Sequence, residues 1–142
     1  MPDLNVLVVD DEPAVRQVLA AAIGKAGYAV ESAASASEAL ARLDKTPFDV
    51  VLSDVFMPVT DGIELLKQAR ARGHAATFIM VTAFASVDSA IDAIKAGAWD
   101  YITKPLRNEE ILHRLEQIDA LRGLREENRA LLEGIAEQTF GR

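Results

Sequence analysis

Carboxylates gather at two points of this 142-residue chain, Asp10-Asp11-Glu12 and Asp54, and each group closes a run of β-branched and aliphatic residues. A hydroxyl, Thr82, and an ammonium, Lys104, close two further such stretches. Brought to one rim, Asp10, Asp11 and Asp54 would repel one another, and a hard, oxygen-preferring cation is the natural relief. Mg²⁺ suits such a site, because it takes one or two carboxylates, keeps several waters and completes its shell with phosphate oxygens. Thr82 would add a hydroxyl donor, and Lys104 a compact cation able to neutralise a phosphoryl oxygen. The set points to phosphate chemistry with Asp54 as the reactive residue.

Such a rim requires strands whose carboxyl ends share an edge. Val50-Val51-Leu52-Ser53 carries no polar alternation, the habit of a central strand covered on both faces, and it delivers Asp54 to its end before Met57-Pro58 turns the chain. Asn5 to Val9 forms a similar run. Pro13 fits the first turn of a helix with Val15, Val18, Leu19, Ala22, Ile23 and Ala26 at helical spacing, and Gly27 suits its end. Tyr28 to Ala33 reads as a strand, and Ser35-Ala36-Ser37-Glu38 has capping-box spacing before Ala39, Leu40 and Leu43. Thr60-Asp61-Gly62 opens a helix with Ile63, Leu66 and Ala69 that Gly73 stops. Thr77 to Val81 is a fourth strand, followed by a helix that Ser86 caps, with Val87, Ala90, Ile91 and Ile94 inside and Gly97 at its close. Trp99 to Thr103 is a fifth strand, and Asn108 can cap a last helix whose Ile111, Leu112, Leu115 and Ile118 would cover the sheet.

Five strand-helix units predict an α/β fold with a doubly wound, five-stranded parallel sheet and a C-terminal helical extension. With the flavodoxin-like order 2-1-3-4-5, the first and third strands are neighbours at the switch point, where open sheets bind ligands, and Asp10, Asp11 and Asp54 converge there. Residues 1–120 read as this domain and 121–142 as a linker or coiled-coil helix, with Leu121, Asn128 and Ile135 at a positions and Leu124 and Leu131 at d. Gly123 and Gly134 weaken that helix.

Composition narrows the class. At 50% apolar and 26% charged residues the chain is an ordinary globular sequence. Without cysteine it has no disulfide or thiolate site, and a reducing cytoplasm is permitted. His74 and His113 stand apart from any ligand-like spacing and read as surface or structural residues. No apolar run approaches the roughly 20 residues that span a bilayer, and Met1-Pro2-Asp3-Leu4 lacks a basic leader, so a cytoplasmic protein without a membrane role is expected. A formal net charge of −7 opposes direct nucleic-acid binding by this chain.

Val8-Val9-Asp10-Asp11-Glu12-Pro13, Asp54 with Met57-Pro58 and Asp61-Gly62, Val81-Thr82-Ala83, and Ala98 to Pro105 together resemble the CheY-like receiver domain of bacterial two-component response regulators, over roughly residues 4 to 120. The resemblance implies that Asp54 accepts phosphate from a sensor histidine kinase or phosphotransfer protein. It implies that Asp10, Asp11, Asp54 and the backbone carbonyl of Phe56 bind Mg²⁺, that Lys104 contacts the phosphoryl group, and that Thr82 and Tyr101 form a switch pair. It further implies a cis peptide between Lys104 and Pro105. The face built from the fourth helix, fifth strand and fifth helix would be the output and homodimer surface. Phe56 and Phe84 would control water access to the acyl phosphate. The stretch from Ala83 to Pro105, with a Leu- and Glu-rich helix behind it, resembles NtrC-like receivers that serve transcriptional activators, and Thr139-Phe140-Gly141-Arg142 could be a truncation point before an output domain.

Two other classes remain to be weighed. Phosphatases of the haloacid dehalogenase class also use a strand-end aspartate, but place an acid/base aspartate two residues later, where this chain has Phe56, which cannot transfer a proton. A flavodoxin-like cofactor module needs a phosphate-cradling loop after the first strand, and Asp10-Asp11-Glu12 is acidic where an anion must sit. A signalling domain that catalyses only its own phosphorylation and dephosphorylation is expected over either.

Overall fold

A computed structural model describes residues 4–105 and 107–140, and for 125–140 the backbone alone. Met1 to Asp3, Gly141 and Arg142 lie outside the described residues, as do the side chains of Asn128, Leu131, Gly134 and Ile135. Five strands, β1 (Asn5–Val9), β2 (Ala29–Ala33), β3 (Val50–Asp54), β4 (Thr77–Thr82) and β5 (Asp100–Thr103), alternate with five helices. These are α1 (Pro13–Lys25), α2 (Ala36–Lys45), α3 (Gly62–Ala71), α4 (Val87–Lys95) and α5 (Asn108–Phe140). The strands pair in parallel in the order β2-β1-β3-β4-β5. Chain direction across the sheet therefore reverses between β1 and β3.

The pleat divides the core into two layers. Val6, Val8, Val50, Leu52, Ile79 and Val81 face α1 and α5, meeting Leu19, Ile23, Ile111, Leu115 and Ile118. Their alternates Leu7, Val9, Val51, Phe78 and Met80 face α2, α3 and the alanines of α4. Because both faces are covered, the central strands carry apolar residues at every step.

Helix ends follow local chemistry. Ser35, Asp61 and Ser86 each accept the N–H three residues on, from Glu38, Glu64 and Ser89. Glu38 reaches back to the N–H of Ala34, one residue before the cap. Gly27, Gly73 and Gly97 all have positive φ beyond helix C-caps, a conformation other residues resist.

Several expectations need correction. Val87, Ile91 and Ile94 are 75%, 44% and 52% exposed, and among the residues of α4 only Ala93 is buried. The helix lies close on the sheet through small side chains and turns its larger apolar ones outward. Val18 of α1 and Ala26, its C-cap, are likewise exposed. Asn108 is a helical residue and not the cap, since the Arg107 carbonyl accepts the N–H groups of Glu110 and Ile111. As expected of a C-terminal helical extension, α5 passes residue 120 without a break.

Candidate functional site

β3 ends on Asp54, whose residue surface is 8% exposed, and β1 ends one residue before the still more deeply buried Asp10. Asp11, next along, is exposed. One carboxylate oxygen from each of the three lies within 4.8 Å of the others. Lys104, just past β5, reaches across two strands: its Nζ donates to Asp10 Oδ2 at 2.9 Å and to Asp54 Oδ2 at 3.0 Å. The Lys104 backbone N–H donates to the Thr82 carbonyl at 2.8 Å, extending the β4–β5 ladder far enough to aim the side chain. The peptide between Lys104 and Pro105 is cis.

Further main-chain bonds fix the carboxylates. Asp54 Oδ1 accepts the Phe56 N–H at 3.1 Å, and Asp10 Oδ1 accepts the Glu12 N–H at 3.0 Å. Arg16 Nη1 donates to the Asp10 carbonyl at 2.7 Å. Beyond Asp54 the chain folds back so tightly that Gly62 N–H donates to the Val55 carbonyl at 2.7 Å, and a Cβ on Gly62 would meet the Asp54 carbonyl oxygen at 2.2 Å. The connecting turn puts Val59 at φ 70° and closes with Thr60 N–H donating to the Pro58 carbonyl, a conformation a β-branched residue adopts only under strain.

Burial is the largest influence on Asp54 and raises its pKa above the ordinary aspartate value, with the Asp10 charge adding to it; Lys104 and the Phe56 N–H oppose without prevailing. Burial by itself would push the Lys104 ammonium down, but its hydrogen bonds to Asp10 and Asp54 outweigh it and hold the pKa above the usual lysine value. The two directions are compatible because one ammonium sees two carboxylates, whereas Asp54 has half of one ammonium and a repelling neighbour. The site is therefore short of positive charge. Its donors are hard oxygens, with Asp11 open to water, and they fit a Mg²⁺ ion.

Thr82, at the end of β4, is fully buried; its Oγ1 accepts the Phe84 N–H at 3.0 Å, which leaves its own proton to give. Phe56 and Phe84 lean together over the rim, ring centroids 6.2 Å apart in an edge-to-face pair, while remaining 47% and 75% exposed. Tyr101 is half-buried on β5, and its hydroxyl lies 2.5 Å from Ser89 Oγ on α4. His74 lies just before β4, at the amino ends of the strands, with its Nε2 2.8 Å from Asp44 Oδ1, and His113 on α5 is exposed.

Sequence reasoning did not find Arg16, Ser89 or the packing role of Gly62. A glycine at the first position of a helix, where it gives no help to capping, was the available signal for close approach. Ser89 had a weaker one, its spacing of three from the capping Ser86.

A family model described as the response regulator receiver domain matches residues 6–116. The chain is 41% identical over 138 residues to the transcriptional regulatory protein ZraR of Salmonella typhimurium, covering 97% of this chain and 31% of that protein. It is 34% identical over 132 residues to the regulatory protein AtoC of Escherichia coli, covering 93% of this chain and 29% of that protein. The chain thus spans less than a third of either relative. Among solved structures, the chemotaxis protein CheY4 of Vibrio cholerae superposes with a TM-score of 0.77 at 36% identity, covering 81% of this chain and 98% of that one.

Proposed function

Because this chain belongs to the response regulator receiver domain family, we propose that it is a phosphorylation-dependent switch in which Asp54 takes a phosphoryl group from a sensor histidine kinase or phosphotransfer protein. The observation that carries this reading is the meeting of Asp10, Asp11 and Asp54 with Lys104 at the sheet's switch point.

The Asp54 carboxylate oxygen bonds to phosphorus as the bond from phosphorus to the donor imidazole nitrogen breaks, and the imidazole leaves with the electron pair. Little covalent chemistry falls to the protein, so positioning and charge neutralisation supply the catalysis. The Phe56 N–H holds Asp54 Oδ1, leaving Oδ2, shared with Lys104, to attack. Lys104 then follows the incoming charge onto a phosphoryl oxygen. Asp10, Asp11, Asp54 and the Phe56 carbonyl would hold Mg²⁺, which when bound supplies further positive charge to the phosphoryl oxygens.

The anion at Asp54 gives the Thr82 hydroxyl proton an acceptor, drawing the 82–86 loop inward and making room for Tyr101. Shifting a two-state population from 1:99 to 99:1 takes about 5.5 kcal/mol, whereas one hydrogen bond to a charged group contributes roughly 1.5–3 kcal/mol. Lys104 and the metal must share the work. The output passes to the face of α4, β5 and α5, whose exposed Val87, Ile91 and Ile94 favour a homodimer, with the α5 extension continuing the contact as a linker to an output domain. Relatives named as transcriptional regulators support control of transcription as that output. In this reading the protein works in the cytoplasm and turns over no external substrate, since Phe56 cannot serve as a proton donor. No helix among the described residues is long and apolar enough to cross a membrane.

The test is intact-mass spectrometry after incubation with acetyl phosphate and Mg²⁺. One phosphoryl group is expected on the unaltered protein and none on Asp54→Ala; equal labelling of both would overturn the assignment.

A further inference from the structure

Tyr101 does not end in solvent or in the core. Its hydroxyl oxygen lies 2.5 Å from Ser89 Oγ, within the range of a good O–H···O bond. Ser89 Oγ is also 3.0 Å from Ser86 Oγ and 3.3 Å from the Ser86 carbonyl. Proton counting gives this cluster one fully satisfied arrangement. Ser89 has a single hydroxyl proton and the Ser86 carbonyl can only accept, so that proton goes there; the Ser89 oxygen then receives the protons of Ser86 and Tyr101. The Tyr101 ring is thereby hydrogen-bonded as a donor to the first turn of α4, the element that follows the 82–86 loop.

We infer that Ser89 is a positioning residue for Tyr101, anchoring its hydroxyl to α4 in the arrangement seen here and so opposing any movement of the ring that accompanies occupation of Asp54. The inference rests on the receiver reading above. Movement of the Tyr101 ring away from α4 must break the bond to Ser89, which belongs to that helix and whose N–H donates to Ser86 Oγ at 3.1 Å. Whatever the bond contributes to this arrangement is withdrawn, by linkage, from the apparent affinity for any phosphoryl group or mimic at Asp54 whose binding moves the ring. A neutral hydrogen bond's net contribution sets the scale at roughly threefold to tenfold in affinity.

Ser89→Ala is a clean removal, since alanine suits a helix and the Ser86 cap needs only the backbone N–H of residue 89. Ser89→Thr keeps the hydroxyl. The experiment measures binding of beryllofluoride, an acyl-phosphate mimic, with Mg²⁺ saturating, and records ring-carbon NMR signals of Tyr101 before it is added. Ser89→Ala is expected to bind roughly threefold to tenfold more tightly and to shift the Tyr101 signals in the free protein, with Ser89→Thr restoring both. In a Tyr101→Phe background, Ser89→Ala is expected to change affinity no further. Unchanged or weaker binding in Ser89→Ala, unmoved Tyr101 signals, or the same gain in the Tyr101→Phe background would overturn the inference alone. Failure of the unaltered protein to bind beryllofluoride would remove the receiver reading and this inference with it.

Discussion

Asp54 shares one ammonium with Asp10, and the consequence should be visible in stability as well as in chemistry. A carboxyl whose folded pKa stands above its unfolded value holds its proton more tightly when folded, so its relative stabilisation is present at low pH and lost as pH rises through the folded pKa. At neutral pH, without divalent ions, the charge on Asp54 is therefore expected to cost stability. Asp54→Asn is therefore expected to have a higher urea midpoint at neutral pH in the presence of a chelator, and the advantage should vanish on acidification through the carboxylate range. Saturating Mg²⁺ should reverse the order, because the ion stabilises the native state of the unaltered protein by mass action. A lower midpoint for Asp54→Asn at neutral pH would show that Lys104 outweighs burial. Phe56 offers a second residue-scale test. The Phe56–Phe84 pair lies over the rim, and neither ring can orient or activate a water. Phe56→Asn is expected to speed loss of phosphate about tenfold, or about 1.4 kcal/mol of barrier, measured as decay of the phosphorylated protein with Mg²⁺ and no kinase. An unchanged rate would show that the rings do not control water access.

Elements place these residues, and they differ in how far sequence betrayed them. β1, β3 and β4 were legible because a strand covered on both faces must be apolar at every step, and the polar residues that end the runs are the site. The outward face of α4 was not. Val87, Ile91 and Ile94 form the apolar stripe of an ordinary amphipathic helix, and periodicity says that a stripe exists without saying which side meets the sheet. The alanines settle that side by allowing close approach. The packing role of Gly62 escaped notice for a related reason, since a missing Cβ reports on a neighbour in space. Here the neighbour is the carbonyl of Asp54 itself, and Gly62→Ala is expected to lower stability by roughly 1–3 kcal/mol or more through overpacking and to disturb phosphorylation as the strand end shifts. Chemical denaturation checks the first effect. A midpoint within error of the unaltered protein would mean that the turn at Val59 relaxes without cost.

At the scale of the whole molecule the domain has two ends with different work. The carboxyl ends of the strands hold the charged site; the opposite edge anchors α5, where Arg122 and Asp49 form an ion pair and Asp49 also accepts the Asn5 N–H at 2.8 Å. α5 thus leaves the domain as a continuation of a helix already packed on the sheet, with Leu121 and Leu124 exposed. Together with the outward face of α4, this favours a two-stranded association. Sedimentation is expected to show a concentration-dependent dimer that Ile91→Glu weakens, and a concentration-independent monomer would contradict it. Among the clustered carboxylates, Asp54 is the one expected to carry the phosphoryl group. Reduction of the freshly phosphorylated protein with borohydride converts an aspartyl phosphate to homoserine, which peptide mapping then locates. Homoserine is expected at position 54 alone, formed only when acetyl phosphate and Mg²⁺ were both present; homoserine at position 10 or 11, or at none, would contradict the assignment of Asp54.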